Sequence, residues 1–212
     1  MSSIKKEIKT KQKHRTFNPE QILLWVGAVM LVCGVFLFLL TFFPVIKQEV
    51  IYRIEANTTS QSKKIVPVNS EFGIVIPKIQ ANAKVVANVD PLNEKVYQQA
   101  LTQGVAHARG TVLPGQTGNT FIFAHSAGNW YVANQYNAVF YLLYKLVKGD
   151  AIDIFYQNKQ YTYKVREVKY IDAKEVNYLS PKTDGWKTLT LMTCWPPGTT
   201  MKRLIVIADI QE

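Results

Sequence analysis

Thr188-Leu189-Thr190-Leu191-Met192-Thr193-Cys194-Trp195-Pro196-Pro197-Gly198-Thr199-Thr200-Met201-Lys202-Arg203, followed by Leu204-Ile205-Val206-Ile207-Ala208, is the stretch on which the reading of this chain turns. Apolar and β-branched residues flank a segment whose prolines cannot donate to a ladder, so the pattern predicts strand, loop, strand. Cys194 ends the first strand and Arg203 begins the second. If the two run antiparallel, sulfur and guanidinium can sit within a few residues of one another at one rim. A thiol has an ordinary pKa of about 8.5, and a fixed positive charge beside it favours the reactive thiolate.

A cysteine nucleophile also needs a proton donor for its leaving group, most often a histidine. Of His14, His107 and His125, the last closes the apolar run Thr120-Phe121-Ile122-Phe123-Ala124 and so falls at a strand end, as Cys194 does. His107, inside Val105-Ala106-His107-Ala108-Arg109, lacks that placement and reads as structural or rim-lining. Arg53, Arg109 and Arg166 are alternatives to Arg203, but only Arg203 is tied to Cys194 by a short loop. Thr193, next to the thiol, is a candidate substrate-binding residue through its hydroxyl or amide. Trp130, Tyr131, Trp195 and Pro196 would suit an apolar groove for an extended peptide, or simple rim packing.

Taken together, Thr190-Leu191-Met192-Thr193-Cys194, the later Arg203 and the strand-terminal His125 resemble the signature of sortases, the membrane-bound cysteine transpeptidases of bacterial cell surfaces. Ile76-Pro77-Lys78-Ile79 and Gly110-Thr111-Val112-Leu113-Pro114-Gly115-Gln116-Thr117-Gly118-Asn119 are similar to that family too, so the likeness covers roughly residues 71 to 210. It implies a mainly β fold, a closed eight-stranded barrel with short helices, in which Cys194 is the nucleophile, His125 the acid and base, and Arg203 the oxyanion partner. It implies as substrates secreted proteins with a C-terminal sorting signal like Leu-Pro-x-Thr-Gly, and as acceptor an amine, either a cell-wall precursor or a pilin lysine. Trp195-Pro196-Pro197 looks closer to class D and E sortases than to class A. No cofactor or metal is expected.

The remaining sequence fits such an architecture. The charge of +10 is concentrated in Lys5, Lys6, Lys9, Lys11, Lys13 and Arg15, with no basic stripe or RNA-binding motif elsewhere, which argues against a nucleic-acid partner. Residues 1–20 read as a basic cytoplasmic tail. Residues 21–43 carry no charge and are long enough to span a bilayer, whereas a cleaved signal peptide has a shorter apolar core. The flanking lysines place the N-terminus in the cytoplasm and the rest outside, a single-pass membrane protein with an extracellular catalytic domain. Cys33 lies within that apolar span, so no disulfide to Cys194 is expected. Residues 44–70 read as a stalk whose first part, Val45 to Glu55, can extend the helix or form a short amphipathic piece at the membrane surface, and residues 71–212 as the barrel.

Within the barrel region, Phe72 to Ile76, Ala83 to Val89 and Asn119 to Ala124 are strand candidates. Pro91 to Leu101 suits a short helix with Val96, Ala100 and Leu101 on one face. Ile152, Ile154 and Tyr156 against Tyr161, Tyr163 and Val165 read as a hairpin turning at 157–160, with a bulge at Arg166-Glu167. Asn129 to Leu146 reads as helical packing, and Asp172 to Leu179 as a helix or loop. Other readings are an unrelated extracytoplasmic cysteine peptidase, an L,D-transpeptidase, whose Ser-His-Gly-Cys type of motif is absent here, or a non-enzymatic anchored binding domain.

Overall fold

The computed structural model describes residues 19–57, 65–126, 139–175 and 185–211. The first element is one long helix, α1 (Pro19–Asn57), within which Glu20–Leu39 is long and apolar enough to cross a membrane. At 1.5 Å per residue α1 extends about 58 Å, nearly twice a hydrocarbon core. It therefore runs on past Phe43 into the stretch read as a stalk, and takes in Val45 to Glu55.

Eight strands follow: β1 (Phe72–Ile76), β2 (Ala81–Val89), β3 (Val105–Ala108), β4 (Gly118–Phe123), β5 (Ala151–Tyr156), β6 (Lys159–Asp172), β7 (Lys187–Trp195) and β8 (Lys202–Ile210). They close into a barrel in the order β1-β2-β3-β4-β7-β8-β6-β5, as the family resemblance implied. A 3-10 turn, Pro77–Ile79, joins β1 to β2, and another, Tyr141–Lys145, precedes β5. β1, β3 and β4 are buried at every position, so they show no polar alternation. That is why β3, only four residues long, left no recognisable trace in the sequence.

The hairpin and bulge form as their patterns predict. Gln157 and Asn158 take positive φ, 50° and 61°, giving a two-residue turn in which Tyr156 pairs with Lys159. The turn is thus tighter than 157–160. The register of β6 against β8 slips between Val165 and Glu167, and the extra residue, Arg166, reaches Asp209 at 2.9 Å.

Helix α2 (Glu94–Leu101) connects the parallel strands β2 and β3, as a crossover connection requires. Asn93 caps it, its side-chain oxygen accepting from the Val96 amide at 3.3 Å. Ala100 and Leu101 are buried, but Val96 is exposed, because the helix turns its Tyr97 and Leu101 side inward instead. Just beyond, a Cβ at Gly104 would collide with the Lys84 carbonyl, so only glycine lets the chain pass this close to β2.

His107 on β3 is buried and structural. Its Nδ1 accepts from the Asn88 amide at 3.3 Å, so Nε2 carries the proton and faces the Val112 carbonyl at 3.2 Å. Burial lowers its pKa below the ordinary value. The folded state therefore binds this proton less readily than the unfolded chain, and its stability contribution, full above about pH 6.5, declines as pH falls toward the folded pKa. His107→Leu is expected to cost about 2–4 kcal/mol at pH 8 by leaving both backbone groups unpaired. Denaturant unfolding of that variant should also show a shallower loss of stability between pH 7 and pH 5 than the parent. A slope equal to the parent's would contradict this role.

Candidate active site

Two strand pairings build the site. β7 and β8 are antiparallel with Cys194 directly opposite Arg203 and Met192 opposite Ile205. Residues so paired have Cβ atoms about 4.5–5.5 Å apart on one face. Along β7, Leu189 and Leu191 enter the main core with Leu204, Val206 and Ala208 of β8. Met192 packs on the other face with Ile171, Ile205 and Ile207. By the two-residue period, Cys194 and Arg203 share that second face.

β4 and β7 are parallel, in register from Gly118 opposite Lys187 to Phe123 opposite Met192. Their C-terminal ends therefore coincide. The pairing continues one residue past β4, where the Ala124 amide donates to the Met192 carbonyl at 3.1 Å. The Thr193 hydroxyl, buried, donates to the Ala124 carbonyl at 3.0 Å. Thr193 thus staples the strand end that carries His125 to the strand end that carries Cys194.

The three predicted side chains, Cys194, His125 and Arg203, line one cleft of about 380 Å³, together with Thr193, Ser126 and the loop residues Gly198, Thr199 and Thr200. Cys194 is a partly exposed free thiol. The Arg203 Nη1 donates to the Thr200 and Lys202 carbonyls, both at 3.3 Å, and among the described residues no carboxylate pairs with the guanidinium. Its charge is left for the cleft. The alternatives lack this placement: Arg109 pairs with Asp90 and Arg166 with Asp209, and the Arg53 side chain lies outside the described residues.

One wall of the cleft comes from a quarter the sequence did not indicate. Glu94, Tyr97, Gln98 and Leu101, spaced i, i+3, i+4, i+7 on α2, line it along with Pro91. Gln98 Oε1 lies 3.1 Å from His125 Nε2. The Tyr97 ring meets Phe123 edge-on with centroids 6.2 Å apart. Burial, then the Glu94 and Cys194 charges, raise the Tyr97 pKa above the usual phenol value, against the opposing effects of a Gln98 side-chain hydrogen bond and the Arg203 charge. Burial lowers that of His125. The i, i+3, i+4 spacing was visible in the sequence, but nothing there said that a polar face would point at a site rather than at solvent.

Among the described residues, the aromatic and proline candidates for a groove do not line the cleft. Trp195 packs between Tyr144 and Tyr170, each 5.2 Å from it by ring centroid, and neither it nor Pro196 lines the cleft. Trp130 and Tyr131 lie outside the described residues, as do residues 129–138 and 176–179 of the two segments read as helix or loop.

A sulfur opposite a guanidinium, with an imidazole on the same cleft wall, is suited to acyl transfer through a thioester. Comparison with known proteins points the same way. A family model described as "Sortase domain" matches residues 74–211. Sortase A of Listeria monocytogenes is 24% identical over 206 residues, which cover 88% of this chain and 90% of that protein. A Clostridium perfringens sortase D5 transpeptidase superposes with a TM-score of 0.55 at 22% identity, covering 82% of this chain and 99% of the other. Sortase A from Corynebacterium diphtheriae gives a TM-score of 0.55 at 25% identity, over 68% of this chain and 61% of the other. With a family match that takes in nearly the whole barrel, including both strands that carry Cys194 and Arg203, the chain belongs to the sortases, cysteine transpeptidases.

Proposed function

We propose that this sortase cleaves the Thr–Gly bond of a Leu-Pro-x-Thr-Gly-like sorting signal and passes the acyl group to an amine on the cell surface. The observation that carries the reading is the register that sets Cys194 opposite Arg203 at the rim shared with His125. The Cys194 thiolate attacks the threonine carbonyl carbon, and Arg203 stabilises the oxygen as it becomes negative. As the tetrahedral intermediate collapses, the C–N bond breaks and the glycine amine leaves with a proton from His125. A thioester remains. The acceptor amine, from a cell-wall precursor or a pilin lysine, attacks it, gives its proton to His125 and releases Cys194. Thr193 lines the cleft and holds its wall together, its buried hydroxyl donating to the Ala124 carbonyl. The apolar N-terminal helix anchors the enzyme, with its basic N-terminal flank in the cytoplasm and the barrel outside.

Incubating the full chain in detergent with a threonine-glycine sorting peptide should yield a thioester adduct on Cys194 by mass spectrometry. No adduct with any such peptide, or an adduct confined to Cys33, would defeat the reading. The profile of kcat/KM against pH is expected to be a bell, since the reaction uses thiolate and imidazolium together. Burial disfavours the charged ring, so the limb governed by His125 belongs below about pH 6.5 and forms the acidic side. A flat profile between pH 5 and pH 9 would exclude the pair.

A further inference from the structure

Gln98 is absent from the chemistry above, yet its side chain is hydrogen-bonded to the His125 ring, Oε1 to Nε2 at 3.1 Å. Among the described residues His125 Nδ1 has no hydrogen-bond partner. Gln98 does not sit there loosely. It lies mid-way along α2, a helix capped by Asn93 at one end and sunk into the core at Ala100 and Leu101 at the other. His125 is held as firmly from its own side, through the Ala124 backbone bonds to Met192 and Thr193.

We propose that Gln98 is a positioning residue for His125: its side-chain carbonyl accepts the Nε2–H, fixes the ring in that tautomer, and so makes Nδ1 the atom that gives and takes the reaction's proton. This rests on the assignment of His125 as acid and base. An imidazole offers two nitrogens of similar basicity, and a site that leaves the choice open spends part of its time with the proton on the wrong one. An amide carbonyl resolves the choice in the neutral ring and still accepts from Nε2–H when Nδ1 is protonated. Unlike a carboxylate, it adds no full negative charge that would hold the imidazolium too tightly to release its proton. The charged and titratable groups that share the cleft with His125 are Glu94 and Tyr97 from α2, Cys194 from β7 and Arg203 from β8. Among the described residues only Gln98 is bonded to the ring.

The experiment compares the parent, Gln98→Ala and Gln98→Glu, all as full chains in detergent, by ring ¹H–¹⁵N correlation of His125 and by kcat, KM and pH profile with a sorting peptide. In the parent the neutral ring should carry its proton on Nε2. Gln98→Ala should mix the tautomers and lower kcat roughly tenfold or more, with KM changed less than threefold. Gln98→Glu retains the acceptor, so the Nε2–H tautomer persists, but the carboxylate should raise the His125 titration by about one pH unit or more and move the acidic limb with it. A merely structural Gln98 would lower activity without moving either the tautomer or that limb. An Nδ1–H tautomer in the parent would mean that the amide is turned the other way and donates to Nε2, which overturns the proposal. So would a parent-like ring spectrum in Gln98→Ala. His125→Ala separates this from the underlying assignment: if that variant retains full turnover, His125 itself is not the acid, whatever Gln98 does. Should Gln98→Ala fail to fold, the Gln98→Glu shift alone decides the matter.

Discussion

Cys194→Ala is expected to form no adduct with a sorting peptide and to lose transpeptidation by a factor on the order of 10⁴ or more, the scale seen when a covalent nucleophile is removed. In the proposed scheme the covalent route is closed without the sulfur, because it is the thioester that splits a difficult amide exchange into two easier ones. The protein should still fold. Cys194 is only partly buried at a strand end, so the cost of truncation falls on chemistry rather than on packing. The other thiol supplies the control, since Cys33 is exposed on α1 and Cys33→Ala should retain both adduct and turnover. Intact-mass analysis with peptide turnover on all three proteins reads out both outcomes. Turnover of Cys194→Ala at parent rates would remove the nucleophile from the scheme.

Arg203→Ala is expected to lower kcat by about 10²–10³, the range for loss of one group that faces a developing oxyanion. The residue opposite Cys194 carries a charge that no described carboxylate neutralises, and the Thr200 and Lys202 carbonyls orient its fork through Nη1. Arg203→Lys keeps the charge but not the fork. A single ammonium cannot hold these two carbonyls and reach the substrate oxygen in the same planar geometry, so we expect it to recover only part of the loss. Steady-state kinetics distinguishes the proposed role from plain substrate binding. A kcat deficit with little change in KM fits an interaction made in the transition state, whereas a raised KM with kcat intact would show that Arg203 holds the ground-state peptide instead.

Those variants follow from residues that neighbour one another across a loop, and here the sequence was most informative. The β7–β8 and β5–β6 hairpins form where the sequence placed them, the second with a turn two residues tighter than expected, because antiparallel neighbours are joined by short connections that fix their register. Arg166 bulges where the polar period slips. The apolar helix was legible from length and lack of charge alone, although its end was not: Pro44 is a local signal to stop, yet the helix runs on through it to Asn57.

The short buried strand β3, the inward turn of α2 and the Gln98–His125 bond were not legible, and they share a cause. Each depends on partners far away in the chain. Gln98 and His125 meet only because α2 bridges β2 and β3 while β3 in turn pairs with β4. From its place beside Cys194, Trp195 suited groove lining and packing equally, and strand alternation decides for packing, against Tyr144 and Tyr170 on the opposite side.

The order of residues alone thus determined the membrane-length apolar helix, the hairpins and the pairing of thiol with guanidinium, since all of these follow from period and turn chemistry over a few residues. Tertiary structure decided where the imidazole stands. The parallel register of β4 with β7 brings His125 to Cys194, and hydrogen bonds between strands so distant in sequence are selected only when the whole barrel closes.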